Sequence, residues 1–220
     1  MNPNNNSVSI ILPVKDEPHL PQLIMAINLI LYNQPYEIII ITSDKTKKPL
    51  PSLPLLPNIK IYKSYGDSLE RAILLGFSVA TTPKIIVMDA DDSHPSYLLP
   101  SIIKSLDTRE MVVASRFTKY GQYNTTFFRH LTSYLFTKYT QLLGSTLTDP
   151  MSGFFGIQTK LLSNIRFKPY KWKTALEINN KLRPTTLELP FTFENRKEGK
   201  SKSSWKIGCR LIWDILEGAL

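Results

Sequence analysis

The chain has 220 residues, 42% hydrophobic and 20% charged, enough for one domain with a full core and unlike the composition of a disordered chain. Its single cysteine, Cys209, excludes an internal disulfide and a cysteine-rich metal site and suits a reducing compartment. The net charge of +9 is uneven: residues 1–100 carry 8 Lys/Arg against 9 Asp/Glu, residues 101–220 carry 19 against 9.

Residues 8–14 (VSIILPV) are an apolar run that predicts a buried strand, and 18–32 predicts a helix. Residues 37–42 (EIIIIT) predict a second strand, and the Lys- and Pro-rich stretch 45–57 an irregular loop. A short strand follows at 58–62, then a helix over 67–80 with Asp67 or Ser68 as N-cap. Strand 84–88, helix 97–106 and strand 110–115 continue the alternation. Such a pattern predicts a mostly parallel sheet with helices on both faces, whose ligands bind beyond the carboxyl ends of the strands. Chemistry is therefore expected just after residues 14, 42, 88 and 115. Internal repeats are absent.

The sharpest signal is MDADDSHP at 88–95, directly after a strand. Side chains two apart in an extended segment leave on the same side, so Asp89 and Asp91 can share one hard divalent ion, completed by diphosphate oxygens and water. Mg²⁺ or Mn²⁺ there would offset charge developing on a leaving nucleoside diphosphate. The competing reading is local: Asp92 or Ser93 capping the helix that follows. Arg116 follows a strand end, and Arg129, Ser133, Arg196, Ser201 and Lys202 are donors suited to phosphate, or else ordinary surface groups. His94 is read as shaping the turn into the next helix. Asp149 is read as a base, a sugar-hydroxyl ligand or a turn cap, and Ser152-Gly153-Phe154 as a turn entering a strand.

Five segments in order resemble family 2 glycosyltransferases of the GT-A fold, and among these the polyprenol-phosphate (dolichol-phosphate) mannosyltransferases. SVSIILPVKDE is similar to their opening strand and Asn-Glu corner, and MDADDSHP to their Asp-Ala-Asp metal motif in its His-Pro version. VVASRF (112–117), TDPMSGFFGI (148–157) and ELPFTFENRKEGKSK (188–202) resemble their Gly-Ser-Arg-Tyr, Asp-x-x-Ser-Gly-Phe and Glu-x-Pro…Arg-x-x-Gly-x-Ser-Lys segments. The resemblance implies a GT-A (Rossmann-like) α/β catalytic domain over 1–203. It implies that Pro13, Val14, Asp16, Glu17, Thr42, Asp44, Asp89, Ala90, Asp91, Arg116, Arg196 and Lys202 bind the sugar nucleotide. Arg116, Arg129 and Ser133 would hold the lipid phosphate, and Asp89, Asp91 and Ser93 the metal. Asp91, Arg116, Arg129 and Arg196 would be the catalytic set. The implied reaction moves mannose from GDP-mannose to a polyprenyl or dolichyl phosphate with inversion. UDP-glucose or another donor, or a degenerate lipid-phosphate-binding protein without turnover, are the alternatives. Nucleic-acid binding is suggested by charge alone, and no recognition motif supports it.

The chain departs from the family pattern at three places. Thr42-Ser43-Asp44-Lys45 stands where Asp-Asp-Gly-Ser is usual, Asp16-Glu17 at the Asn-Glu corner, and Ser93 where Gln is frequent.

Residues 204–220 predict an amphipathic interfacial helix. Lys206, Arg210, Asp214 and Glu217 form one stripe, and Trp205, Cys209, Ile212, Leu216 and Leu220 another. A helix packed on its own domain fits the same spacing. Residues 127–143 predict a second aromatic-rich helix. With no signal peptide and no run of about 18 apolar residues, the expectation is a peripheral enzyme on the cytoplasmic face of a membrane. It would be held there by its own helices or by a membrane-anchoring partner subunit.

Overall fold

The computed structural model describes residues 6–46, 48–66, 68–123, 127–167 and 173–193. Nine strands and five helices occur among them, in the order β1 (Val8–Val14), α1 (Leu20–Ile30), β2 (Tyr36–Ser43), β3 (Ile59–Ser64), α2 (Leu69–Val79), β4 (Lys84–Val87), α3 (Leu99–Ser105), β5 (Met111–Ser115), β6 (Gln122–Tyr123), α4 (Phe127–Leu142), β7 (Phe155–Gln158), α5 (Thr174–Leu182), β8 (Thr186–Pro190) and β9 (Thr192–Phe193). The main sheet has the strand order β3-β2-β1-β4-β7-β5-β8, and β6 and β9 form a two-stranded ribbon. All pairs in the main sheet are parallel except those of β7, which is antiparallel to both β4 and β5. The expected mostly parallel α/β architecture is therefore present, with one reversed strand, β7, inside it.

The strands read as continuous apolar runs because both faces are covered. Val8, Ile10, Leu12, Ile38, Ile40 and Ile86 pack on one side with Leu20, Ile24 and Ile27 of α1 and Leu99, Ile102 and Ile103 of α3. Ile11, Ile39, Ile41, Ile85 and Val87 face the other way, towards Ala72, Ile73 and Phe77 of α2 and Ala175 and Ile178 of α5. The irregular stretch after β2 is tied down by Leu50, Leu53 and Leu56, which pack on the α1 side.

Element ends differ from the sequence reading by one or two residues, as helix ends usually do. The helix expected over 97–106 starts with a 3-10 turn at Ser96–Leu98 and continues as α3. Ser68 is the N-cap of α2, its hydroxyl accepting the Arg71 N–H at 3.4 Å, while Asp67 lies outside the described residues. The amphipathic helix expected over 204–220 also lies outside them.

The strand order reverses at β1. The chain runs outward from β1 to β2 and β3, then crosses back so that β4 lies on the other side of β1. Ligands of open α/β sheets bind at such a switch point, outside the carboxyl ends of the strands. Here that edge carries the ends of β1, β2, β4 and β5, and the segment entering the reversed strand β7.

Helices lie close to the sheet where glycine allows it. A Cβ on Gly76 of α2 would stand 2.6 Å from the nearest Ile11 side-chain atom, and one on Gly156 of β7 would stand 2.6 Å from Ile102. Gly76→Ala should gain about 1 kcal/mol in helix propensity, yet overpacking against fully buried Ile11 costs about 1–3 kcal/mol. Net destabilisation is expected, read as a lower urea midpoint with an unchanged m-value; a raised midpoint would show that Ile11 yields.

Candidate active site

β1 delivers Pro13 and Val14 to the switch point, paired in register with Ile41 and Thr42 of β2. Beyond β1 the chain turns sharply at Asp16, whose φ of 57° is left-handed. The Asp16 carboxylate accepts the Lys48 N–H at 3.0 Å and so fastens the loop after β2 to the β1 corner. At the end of β2 the Thr42 hydroxyl donates to the Tyr62 carbonyl at 3.3 Å. Asp44 accepts the Gly66 N–H at 2.7 Å, and the Ser43 hydroxyl donates to the Gly66 carbonyl at 2.8 Å. Thr42-Ser43-Asp44 is thus a built corner that ties β2 to the loop after β3.

The acidic motif sits one strand over. Asp89 follows β4, Ala90 is buried, and Asp92 adopts a left-handed φ of 62° that turns the chain. The Asp91 carboxylate accepts both the N–H of Ser93, at 3.2 Å, and its hydroxyl, at 2.5 Å. The capping alternative is corrected here: the first residues of the next helical segment have no side-chain cap, and Ser93 turns back onto Asp91.

His94 is buried and accepts the Asp89 N–H on Nδ1 at 2.8 Å. Its ring stacks on Phe154 with centroids 5.0 Å apart and meets Phe191 edge-on. Burial lowers its pKa, against the opposing pull of Asp89 and Asp91. A neutral ring carrying its proton on Nε2 fits that acceptor role. His94 therefore shapes the motif, as the sequence suggested. Gly153 completes the floor: a Cβ there would lie 3.5 Å from His94 Cε1 and 3.8 Å from Asp89 Oδ2.

At the end of β5 is a buried ion pair, Arg116 with Asp149. Asp149 has no solvent exposure. It accepts the Arg116 N–H at 3.0 Å, Nε at 2.7 Å and Nη2 at 2.7 Å. With three donors on a buried carboxylate, Asp149 is the counter-ion of Arg116, and the base reading does not fit.

Lys173, immediately before α5, is a group the sequence did not single out. Its Nζ donates to the Met151 carbonyl at 2.8 Å. Burial first, and then the nearby Arg116 charge, lower its pKa to about 8, opposed by Asp149, Asp89 and Glu70. Lys173 is one of several lysines in FKPYKWK, and nothing in that spacing marks it. Only the packing of α5 beside the 148–153 segment does.

Arg129 and Ser133 both fall within α4, four residues apart. Arg196, Ser201 and Lys202 lie outside the described residues. Among the described residues no cluster of three or more His, Cys, Asp or Glu side chains is suited to a metal. Two carboxylates are, however, the usual protein share of a Mg²⁺ or Mn²⁺ site in which substrate phosphates and water supply the rest. Asp89 and Asp91, with Asp89 about one-third exposed, fit that pattern.

A family model described as "Glycosyl transferase family 2" matches residues 9–166. The dolichol-phosphate mannosyltransferase of Pyrococcus furiosus is 29% identical over 214 residues, covering 90% of this chain and 60% of that protein. The enzyme of the same name from Saccharomyces cerevisiae is 33% identical over 171 residues, covering 71% and 62%. The chain thus spans about 60% of the length of these relatives. Among solved structures, glucosyl-3-phosphoglycerate synthase from Mycobacterium tuberculosis, crystallised with Mn²⁺, uridine diphosphate and phosphoglyceric acid, superposes with a TM-score of 0.71 at 14% identity, covering 96% of this chain and 78% of that one. At that identity the likeness is one of fold, the GT-A fold. The match across most of the chain, joined to an acidic pair at the β4 end of a GT-A sheet, shows that the chain belongs to glycosyl transferase family 2.

Proposed function

We propose that this protein transfers a hexose, mannose from GDP-mannose, to a polyprenyl or dolichyl phosphate with inversion. The observation that carries the reading is the arrangement at the strand ends. An acidic pair, Asp89 and Asp91, shares the carboxyl edge of the sheet with Arg116, held by Asp149, and with Lys173, held by the Met151 carbonyl. The names of the two mannosyltransferase relatives supply the substrate class.

A phosphate monoester has a second pKa of about 6 and is a dianion at neutral pH. It needs no general base. That agrees with a site in which Asp149 is taken up by Arg116 and His94 by the Asp89 backbone. One acceptor phosphate oxygen forms the new bond to the anomeric carbon. The bond from that carbon to the nucleotide's β-phosphate oxygen breaks, and the electron pair leaves with the diphosphate. No proton need move. Arg116 and Lys173 would orient the phosphates, and Arg129, Ser133, Arg196 and Lys202 would add to that set. Asp89 and Asp91, with Ser93 aligning Asp91, would hold a divalent ion that offsets charge on the leaving diphosphate. Pro13, Val14, Asp16, Glu17, Thr42 and Asp44 would line the nucleotide end of the switch point.

Membrane contact belongs to the same reading. No helix among the described residues is long and apolar enough to cross a membrane. Leu131, Tyr134, Leu135 and Leu142 of α4 are nevertheless exposed. Lys138 lies 5.6 Å over the Tyr134 ring, and Lys119 lies 5.6 Å over that of exposed Tyr120. Apolar and aromatic side chains with cations beside them suit a lipid interface, which would bring a lipid phosphate to Arg129 and Ser133. A peripheral enzyme on the cytoplasmic face, alone or with an anchoring partner subunit, is the corresponding placement.

The direct test supplies purified protein with Mg²⁺ or Mn²⁺, a short polyprenyl phosphate, and labelled GDP-mannose beside UDP-glucose. Metal-dependent label in the lipid phase from GDP-mannose is expected. No transfer by folded protein that binds the lipid would overturn the reading, and transfer from UDP-glucose alone would correct the donor. Asp91→Asn should lower the rate by about two to three orders of magnitude while the fold is kept; full activity would remove the metal assignment.

Lys173 makes a separable prediction. Its folded pKa of about 8 lies below the ordinary lysine value of 10.5, so the unfolded chain binds more protons between those values. Stability from this group therefore rises with pH across that window. The stability difference between wild type and Lys173→Met should shift in favour of wild type from pH 7.5 to pH 10, read by chemical denaturation. A pH-independent difference would show an unperturbed lysine.

For the membrane, Leu131→Glu combined with Leu135→Glu should weaken sedimentation with phosphatidylcholine–phosphatidylglycerol vesicles by about tenfold or more, since burying one leucine contributes about 1.5–3 kcal/mol. Undiminished binding would take α4 out of the interface.

A further inference from the structure

We propose that Glu188 is a positioning residue of the phosphate site, acting on Arg116 through Thr148 and Asp149. This rests on the reading of Arg116 as a phosphate ligand.

Glu188 lies in β8, in register with Val113 of β5, so it stands one strand from the segment that ends in Arg116. Its carboxylate receives three donors from the loop before β7. Oε2 accepts the Thr148 N–H at 2.9 Å, and Oε1 accepts the Thr148 hydroxyl at 2.9 Å and the Asp149 N–H at 3.1 Å. In all three contacts Glu188 is the acceptor.

That polarity fixes the next link. The Thr148 hydroxyl gives its hydrogen to Glu188, so in its 2.8 Å contact with Ser115 it accepts, and Ser115 donates. Ser115 Oγ in turn accepts the Phe117 N–H at 3.3 Å. Both neighbours of Arg116 are thereby fastened to the same relay. Asp149, gripped at its N–H by Glu188, grips Arg116 at backbone N, Nε and Nη2. The direction of the guanidinium plane is thus set two residues away, on β8. Removing the carboxylate would orphan two partly buried backbone N–H groups, and the loop could satisfy them only by turning Asp149, and Arg116 with it.

A purely structural role would also cost stability, so the test must read Arg116 itself. Glu188→Gln keeps the shape but sets an amide donor against the Thr148 N–H or against the Thr148 hydroxyl and Asp149 N–H. In full-length protein labelled with ¹⁵N-arginine, the Arg116 Nε–H resonance, assigned by its loss in Arg116→Lys, should move and exchange faster with water. The KM for polyprenyl phosphate should rise by about tenfold or more, as outer-shell substitutions commonly do. In the Arg116→Lys background the same substitution should add little. An Arg116 resonance unmoved in folded Glu188→Gln protein, or a fully additive loss of activity, would overturn the proposal. If Glu188→Gln does not fold, Thr148→Val, which keeps the backbone contact and removes the hydroxyl link, is put through the same measurements with the same expected results. If the wild-type protein transfers no sugar to polyprenyl phosphate, the phosphate reading fails, while the Arg116 resonance still decides whether Glu188 sets its position.

Discussion

A carboxylate with no exposure to water imposes conditions on everything around it, and in this chain that carboxylate is Asp149. Breaking a buried charge pair from one side costs about 3–5 kcal/mol, whereas an exposed pair contributes about 0–1 kcal/mol. Asp149 therefore cannot tolerate loss of its fork. Arg116 supplies that fork from the end of β5, and Glu188 holds the Asp149 backbone from β8. The segment so fixed continues through Ser152 and Gly153 to Phe154, beneath Asp89 and His94. One buried charge thus ties the cationic side of the crevice to the acidic side. The reversed strand β7 is the physical link, because its entry lies between the ends of β4 and β5.

The two ends of the sheet treat their charges differently. At the amino ends of the strands, Glu37 accepts from Ser9, from both the N–H and hydroxyl of Thr81, and from Lys60. Burial alone would raise its pKa, and these donors together hold it below the usual value. Lys84 is buried and donates to Asp107, Asn6 and the Ile103 carbonyl at the end of α3. These groups satisfy one another across neighbouring elements and close that end. At the carboxyl ends, Lys173 has burial and a neighbouring Arg116 working against its charge. Charges of one sign held close together are what a site for an anion requires, and the fold tolerates them because Asp149, Asp89 and Glu70 pull the other way.

The strands and most helices of the first half were legible because strands buried on both faces appear as unbroken apolar runs, IILPV, IIII and KIIV. Alternation gave the mostly parallel sheet and the edge where ligands bind, while the strand order and the switch point at β1 came only with the pairing. The reversal of β7 was not legible: FGIQ is four residues long and carries no mark of direction, and only its pairing with Val87 and Val113 reveals it. Asp89, Asp91 and Arg116 stood out because they follow strand ends. Lys173 did not, since it sits among lysines before α5, and Glu188 fell within the Glu-x-Pro resemblance without a role of its own. Their parts depend on side chains meeting across more than 20 residues of sequence. Asp149 could be found in the sequence but its role could not, because base, ligand and buried counter-ion share one residue type.

The same contacts bear on which acceptor the crevice can serve. An alcohol acceptor needs a base that takes its proton in the transition state. His94 has its Nδ1 lone pair on the Asp89 N–H, and its proton-poor state comes from burial, in a ring closed off by Phe154 and Phe191. Asp149 has its oxygens on Arg116. The two obvious bases near the acidic pair are therefore spent on architecture. An acceptor already ionised at neutral pH asks only for positioning and for cations, and cations are what Arg116 and Lys173 bring to this edge. The contact that removes Asp149 from acid–base chemistry is the one that holds Arg116, so in the proposed reaction the phosphate acceptor and the lack of a base trace to one buried contact.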